Sequence, residues 1–158
     1  AGGMYVAPGL EHDEYGHVDN VMASHVKMMP KRMNKMEKAK AELECPPIYG
    51  VPGAKIGVIG WGSTDGAIQE AVERANSRGM KVAAMHPKVL MPLPEKHLEK
   101  FISSLDHVLV PELNYSGQFA HYLRATMGIN PIRLNKYTGL PFTAAEIYDK
   151  IVEVANNG

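Results

Sequence analysis

Apolar positions along this chain keep two successive periods. From Val18, the residues Val18, Met22, Val26, Met29, Met33, Met36 and Leu43 fall at helical spacing on one face, while Lys27, Lys31, Arg32, Lys35, Lys38 and Lys40 crowd the others. This predicts an amphipathic helical stretch. Pro30 brings no amide hydrogen to its middle, so a kink is expected, or a second helix starting there with Pro in its first turn. Pro46-Pro47 stops the helix, and Gly50-Val51-Pro52-Gly53 reads as a linker. Residues 1–20, rich in Gly, His and acid, keep neither period and read as irregular.

Beyond Ala54 the pattern becomes an alternation of short apolar runs and amphipathic stretches, as in parallel α/β domains. Strands are predicted at 55–60 (KIGVIG), 81–85 (KVAAM), 107–110 (HVLV) and 132–134. Helices are predicted at 65–78, with Gly79 as a left-handed end, at 95–104, at 118–127 before Gly128, and from Thr143, where Thr143 and Glu146 form a T-x-x-E capping box. Parallel strands joined by single helices need both faces covered, which predicts a three-layer α/β/α sandwich over 54–158. Residues 1–53 supply the polar segment, the helical stretch and the linker. Ligands of such sheets gather at the carboxyl ends of the strands, here Gly60 to Thr64, His86, Glu112 to Gln118 and Asn135 to Gly139.

Composition narrows the function classes. A chain of 158 residues, 45% hydrophobic and 22% charged, has the make-up of a soluble globular domain with one core. Seventeen basic residues balance seventeen acidic ones, so no global field draws the chain to nucleic acid or to an anionic membrane. The single cysteine, Cys45, can form neither an internal disulfide nor the ligand set of an iron–sulfur cluster. No apolar run reaches membrane-spanning length and no signal sequence opens the chain, so a cytoplasmic location is expected. The start at Ala1-Gly2-Gly3, without an initiator Met, suggests a processed product or an excised fragment.

Several constellations carry chemistry. The turn Gly60-Trp61-Gly62-Ser63-Thr64-Asp65-Gly66 suggests a dinucleotide loop, and a free-standing Rossmann-type nucleotide-binding domain using Gly60, Gly62 and Gly66 is the alternative reading. Its G-x-G-x-x-x-G spacing departs from the fingerprint, and the next strand ends at His86 rather than an acid. A plain strand-to-helix turn with Ser63, Thr64 or Asp65 as N-cap is favoured. His12, Asp13, Glu14 and His17 stand within six residues, without a distant partner pair for a zinc site. They read as a hydrogen-bonded polar cluster that could approach a substrate carried by a neighbouring domain. The basic excess at 27–40 faces an acidic stretch at 1–26, which fits local ion pairing as well as an anionic partner. Asn114-Tyr115-Ser116-Gly117 leads into a helix N-terminus whose amides could favour a carboxylate or phosphate, or Asn114 and Ser116 could cap it. There is no G-x-S-x-G elbow and no catalytic set that could act alone.

The run Gly9-Leu10-Glu11-His12-Asp13-Glu14-Tyr15-Gly16-His17 is followed by the basic helix and by Trp61-Gly62-Ser63-Thr64. Val89-Leu90-Met91-Pro92-Leu93-Pro94, Asn114-Tyr115-Ser116-Gly117-Gln118 and Gly139-Leu140-Pro141-Phe142-Thr143 come after. In this order, from about Gly3 to Ile147, the chain resembles the C-terminal part of the alpha subunit of 2-oxoacid:ferredoxin oxidoreductases, most of all the 2-oxoglutarate branch. The resemblance implies a transketolase C-terminal-like fold with a mostly parallel five-stranded sheet and one antiparallel edge strand, for which residues 48–51 are available. It implies a complete enzyme that converts a 2-oxoacid and coenzyme A to acyl-CoA and carbon dioxide, using thiamine diphosphate, magnesium and an iron–sulfur cluster, with ferredoxin as electron acceptor. The diphosphate–magnesium motif and the cluster cysteines are missing here. This piece is therefore expected to bind no cofactor alone, to be inert alone, and to pack against the rest of the alpha subunit and the beta subunit. Self-association is expected as well. Candidates for a place near substrate or CoA are Ser63, Thr64, Asn114, Tyr115, Ser116, Gln118, His12, Asp13, Glu14 and His17. No catalytic or metal-binding residue is assigned.

Overall fold

A computed structural model describes residues 3–4 and 9–157. The part of the irregular segment at residues 1, 2 and 5–8 lies outside the described residues. The chain divides into two compact units, one ending at Leu43 and the other beginning at Glu44.

In the first unit, Gly9 to Val21 form a tight reversal closed by an antiparallel bridge between His12 and Val18. Asp13 organises it. Its carbonyl accepts the Gly16 amide (3.2 Å), and its side chain accepts the amides of Tyr15 and His17, both at 2.9 Å. Gly16, with φ 87°, takes the left-handed position that the turn requires. Helix α1, Met22–Ala41, follows. Asp19 introduces it by accepting the Val21 amide at 2.8 Å and the Ser24 hydroxyl. One helix runs through Pro30, so of the two expectations there the second helix does not occur. None of its residues is buried, and Met22, Val26, Met29 and Met33 stand exposed.

The second unit holds β1 (Ile48–Gly50), β2 (Ile56–Ile59), α2 (Asp65–Ser77), β3 (Val82–Met85), α3 (Glu95–Ile102), β4 (His107–Glu112), α4 (Gln118–Met127), β5 (Ile132–Asn135) and α5 (Ala144–Asn157). The strands form one sheet in the order β1-β3-β2-β4-β5, with β1 antiparallel and the other four parallel. Residues 48–50, counted in the sequence with the N-terminal part, thus belong to the sheet.

Alternation along the strands builds two cores. On one face Ile56, Val58, Val82, Ala84 and Leu109 meet Ile68, Ala71, Val72 and Ala75 of α2 and Ile147, Ile151 and Val154 of α5. On the other, Ile59, Met85 and Val110 meet Leu98 of α3 and Phe119, Ala120 and Leu123 of α4. The result is the three-layer sandwich. Burying both faces explains why these strands read as continuous apolar runs rather than alternating ones. Gly57 lets the second layer approach, because a Cβ there would lie 2.2 Å from Leu105 Cδ1. The capping box forms at α5: Glu146 Oε2 accepts the Thr143 amide (2.8 Å), and the Glu146 amide donates to Thr143 Oγ1 (3.3 Å).

The strand order creates one special position. The chain leaves β2 through α2 toward β3 on one side, then returns to β4 on the other side of β2. The helices following these adjacent strands, α2 and α4, pack on opposite faces. Beyond the carboxyl ends of β2 and β4, the connecting loops therefore diverge and leave a crevice.

Candidate functional site

The crevice is a cleft of about 250 Å³ lined by Trp61, Gly62, Ser63 and Thr64 after β2 and by Leu113, Asn114 and Gln118 after β4. Four of the sequence candidates, Ser63, Thr64, Asn114 and Gln118, thus meet in one place. Tyr115 and Ser116 stand on the same loop outside the lining, both exposed.

The β2 side is a single 3-10 turn, Gly62–Thr64. Thr64 closes it: its hydroxyl donates to the Trp61 carbonyl (2.9 Å) and accepts the Trp61 amide (3.2 Å). Thr64 occupies the N-cap position of α2, but its side chain makes no capping bond to that helix, because it is turned back onto Trp61. Trp61 packs edge-on against Phe119 at 6.4 Å between ring centres, and its buried indole nitrogen has no hydrogen-bond partner. Above Gly60 there is no room for a phosphate, since a Cβ there would fall 2.1 Å from Ile68 Cδ1 and 2.7 Å from Thr64 Oγ1. The fingerprint glycine that must admit the pyrophosphate is the second, here Gly62, which stands open. The Rossmann reading fails instead because the spacing is G-x-G-x-x-x-G and the chain meets His86 after β3 where a ribose-binding acid is required.

The β4 side is organised by a residue that the sequence reading passed over. β4 runs two residues further than predicted and carries Glu112 into the interior, where it is 0% exposed. Its carboxyl group accepts the amides of Phe119 (2.7 Å) and Ala120 (2.9 Å) in the first turn of α4, and Asn114 Nδ2 (2.8 Å). Asn114 Oδ1 accepts the amides of Gly117 (2.6 Å) and Gln118 (3.1 Å). The amides at the start of α4 are thereby taken within the chain. The expectation that they stand free for a substrate carboxylate or a phosphate is corrected by this pairing, and the capping alternative holds for Asn114 but not for Ser116. A Glu just before an N-x-S-G turn into a helix was the available signal. Gly117 adopts φ 70°, and a Cβ there would lie 3.0 Å from Arg133 Cδ. Among the polar side chains lining the cleft, Ser63 and Gln118 make no side-chain hydrogen bond among the described residues and face solvent.

At the end of β3, His86 is buried, with Nδ1 4.0 Å from Asp65 Oδ1 and Nε2 without a partner. Burial holds its pKa below the ordinary histidine value, Asp65 opposes the shift, and Lys88 adds to it.

In the first unit, the acidic run and the basic helix pair locally. Glu11 accepts His25 Nδ1 (2.7 Å) and lies 2.9 Å from Arg32, while Glu14 pairs with Lys27 at 2.8 Å and raises the pKa of that lysine. The His17 amide, with the Tyr15 amide and the His17 ring (3.1 Å) beside it, keeps the Asp13 carboxyl below its ordinary pKa. His12, Asp13, Glu14 and His17 thus form a turn and its ion pairs. Such exposed pairs are worth little individually.

The donor sets do not fit the cofactors that the resemblance attaches to the complete enzyme. Cys45 is a lone exposed thiol, and no group of three His, Cys, Asp or Glu side chains among the described residues could hold a metal ion. The start of α4, a candidate cradle for a diphosphate, is filled by Glu112 and Asn114. No described helix is long and apolar enough to cross a membrane.

Residues 54–142 match the family described as pyruvate:ferredoxin oxidoreductase core domain II, over the four parallel strands and both walls of the cleft. The chain belongs to that family. The fold is of the transketolase C-terminal-like type expected above. The 2-oxoacid:ferredoxin oxidoreductase subunit alpha of Saccharolobus solfataricus is 30% identical over 95% of this chain and 24% of its own length. The 2-oxoglutarate oxidoreductase subunit KorA of Mycobacterium tuberculosis is 34% identical over 89% of this chain and 22% of its own length. A solved structure superposes with a TM-score of 0.80 at 39% identity, covering 95% of this chain and 26% of the other: the 2-oxoglutarate:ferredoxin oxidoreductase from Magnetococcus marinus with 2-oxoglutarate, coenzyme A and succinyl-CoA bound. The chain spans about a quarter of the length of the curated alpha subunits it matches.

Proposed function

We propose that the core domain II chain serves as the C-terminal domain of the alpha subunit of a thiamine-diphosphate-dependent 2-oxoacid:ferredoxin oxidoreductase. The complete cytoplasmic enzyme would convert a 2-oxoacid, 2-oxoglutarate in the first instance, and coenzyme A to acyl-CoA and carbon dioxide while reducing ferredoxin. The observation that carries this reading is the 39% identity, sustained over 95% of the chain, with a 2-oxoglutarate:ferredoxin oxidoreductase of the same fold. Among the described residues no cluster could hold a metal ion, and the only cysteine of the chain is Cys45. Thiamine diphosphate, magnesium and the iron–sulfur cluster belong to other parts of the alpha and beta subunits. The exposed methionine face of α1 fits contact with another chain of the assembly, including a second copy.

Within this reading the cleft at the β2–β4 switch point faces the substrate or CoA, and Ser63 and Gln118 are the groups with hydrogen-bonding capacity to offer there. Tyr115 and Ser116, on the same loop, are assigned to its surroundings, and His12, Asp13, Glu14 and His17 of the other unit are kept as separate candidates for a place near substrate or CoA. The test is steady-state kinetics of the complete enzyme carrying Ser63→Ala or Gln118→Ala. The reading expects a raised KM for CoA or for the 2-oxoacid with unchanged thermal stability, since these side chains are exposed. Wild-type rate and KM values in both would remove the cleft from the site.

A further inference from the structure

Eight large apolar side chains stand exposed among the described residues of the α/β unit. Two of them, Ile48 and Val51, flank the edge strand β1. The other six, Val89, Met91, Leu113, Tyr115, Tyr137 and Leu140, all lie in the loops that follow β3, β4 and β5, at one edge of the parallel sheet. Surface apolar residues scattered singly need no explanation, but a set gathered along one edge marks an interaction surface.

The loops are tied together rather than loose. Tyr115, 76% exposed, and Tyr137, 67% exposed, meet edge-on with ring centres 4.9 Å apart. Asn135 Nδ2 donates to the Tyr115 carbonyl at 2.8 Å, joining the β4 and β5 loops. Tyr122 of α4 donates to Met91 Sδ at 3.2 Å, joining the β3 loop to the same layer. Nearby charge is neutralised within the chain, since Lys136 is held by both Glu146 oxygens (2.8 and 2.9 Å) and the Pro141 carbonyl (2.8 Å). A fixed aromatic pair with neutralised charge beside it has the make-up of an interface centre, where Tyr is enriched and charge is depleted.

We propose that this carboxyl edge, centred on Tyr115 and Tyr137, docks an uncharged apolar surface on the remainder of the same alpha subunit. The inference rests on the alpha-subunit reading given above and names the partner of that edge. About three quarters of the length of the curated alpha subunits lies outside the part this chain matches, so a covering surface of the same polypeptide is at hand. Docking there also shelters the cleft, because Leu113 belongs both to the apolar edge and to the cleft wall.

The test is tyrosine nitration with tetranitromethane, mapped by mass spectrometry, on the 158-residue chain and on the complete enzyme at low and high salt. The proposal expects Tyr115 and Tyr137 to react in the isolated chain and to lose that reactivity in the complete enzyme at both salt concentrations. Equal reactivity in the two preparations overturns it. Protection already present in the isolated chain, together with a dimeric mass, overturns it in favour of a second copy as occupant. Protection that disappears at high salt overturns the uncharged character of the partner. Protection in an assembly that fails to couple 2-oxoacid oxidation to ferredoxin reduction would leave the docking intact and defeat the functional reading instead.

Discussion

Glu112 decides how β4, the cleft and α4 hold together, so its replacement has a calculable effect. Glu112→Ala removes the acceptor of three donors: the buried amides of Phe119 and Ala120, at 2.7 and 2.9 Å, and Asn114 Nδ2 at 2.8 Å. Leaving one buried donor unpaired costs about 1–3 kcal/mol. Two buried amides together with the emptied volume give roughly 3–5 kcal/mol, a large part of the 5–15 kcal/mol that usually separates folded from unfolded chains. Glu112→Gln keeps the shape and one oxygen. Placed where Oε2 was, that oxygen still serves Phe119 and Asn114, while the new NH2 opposes the Ala120 amide. Two donors, the Ala120 amide and that NH2, then lack an acceptor, at a cost of about 1–3 kcal/mol each. Urea unfolding followed by circular dichroism measures both values, provided the m-value stays constant. Hydrogen exchange of the Phe119 and Ala120 amides reports whether the loss is local to α4. A loss below about 1 kcal/mol for either variant would refute the idea that hydrogen-bond satisfaction is what Glu112 supplies.

Acid should act through Glu146, whose carboxyl the Lys136 ammonium and the Thr143 amide and hydroxyl hold at about 2, below its ordinary 4.5. Because the folded value is the lower one, its contribution is complete above about 4.5 and is lost as pH falls toward about 2. Urea midpoints against pH should show wild type and Glu146→Gln converging over this window, and a constant difference would contradict the assignment. Gly57→Ala should cost about 1–3 kcal/mol, because its Cβ would fall 2.2 Å from Leu105 Cδ1, and adding Leu105→Ala should return part of that loss. Gly66→Ala, inside α2 with nothing within 4 Å of the new carbon, should instead stabilise by about 0.5–1 kcal/mol. Equal effects at the two glycines would mean that close approach is not what requires Gly57.

The sandwich was legible because β2, β3 and most of β4 are buried on both faces and several helix ends have local chemistry. Gly79 and Gly128, both with positive φ, stop α2 and α4 where the sequence places the stops, and Thr143 with Glu146 starts α5. The edge strand β1 is only three residues long and half exposed, so no apolar period announces it, and only the resemblance supplied it. The second helix offered at Pro30 does not form because a proline removes one amide without obliging the chain to break when the flanking turns stay helical.

At the candidate site, strand-end logic pointed to the loops after the parallel strands, and topology leaves a cleft between those after β2 and β4. What could not be read was which polar groups are already engaged. Asn114 and Thr64 appear in sequence as available hydrogen-bonding groups, yet one caps α4 and the other closes its own turn. Glu112 lay at the end of an apolar run, and only the N-x-S-G turn after it signals that an acid there turns inward to amides seven and eight residues ahead. The acidic run at 11–14 and the basic helix do find each other, as their opposite charges suggested.

The central claim concerns the assembly to which this domain belongs. The most direct measurement is ferredoxin reduction by the purified complete enzyme containing this chain, with 2-oxoglutarate and coenzyme A supplied separately and together, and with pyruvate in place of 2-oxoglutarate. The account predicts reduction that requires both substrates, forms succinyl-CoA, and is slower with pyruvate. An enzyme that reduces ferredoxin with no 2-oxoacid, or without need of coenzyme A, would contradict it.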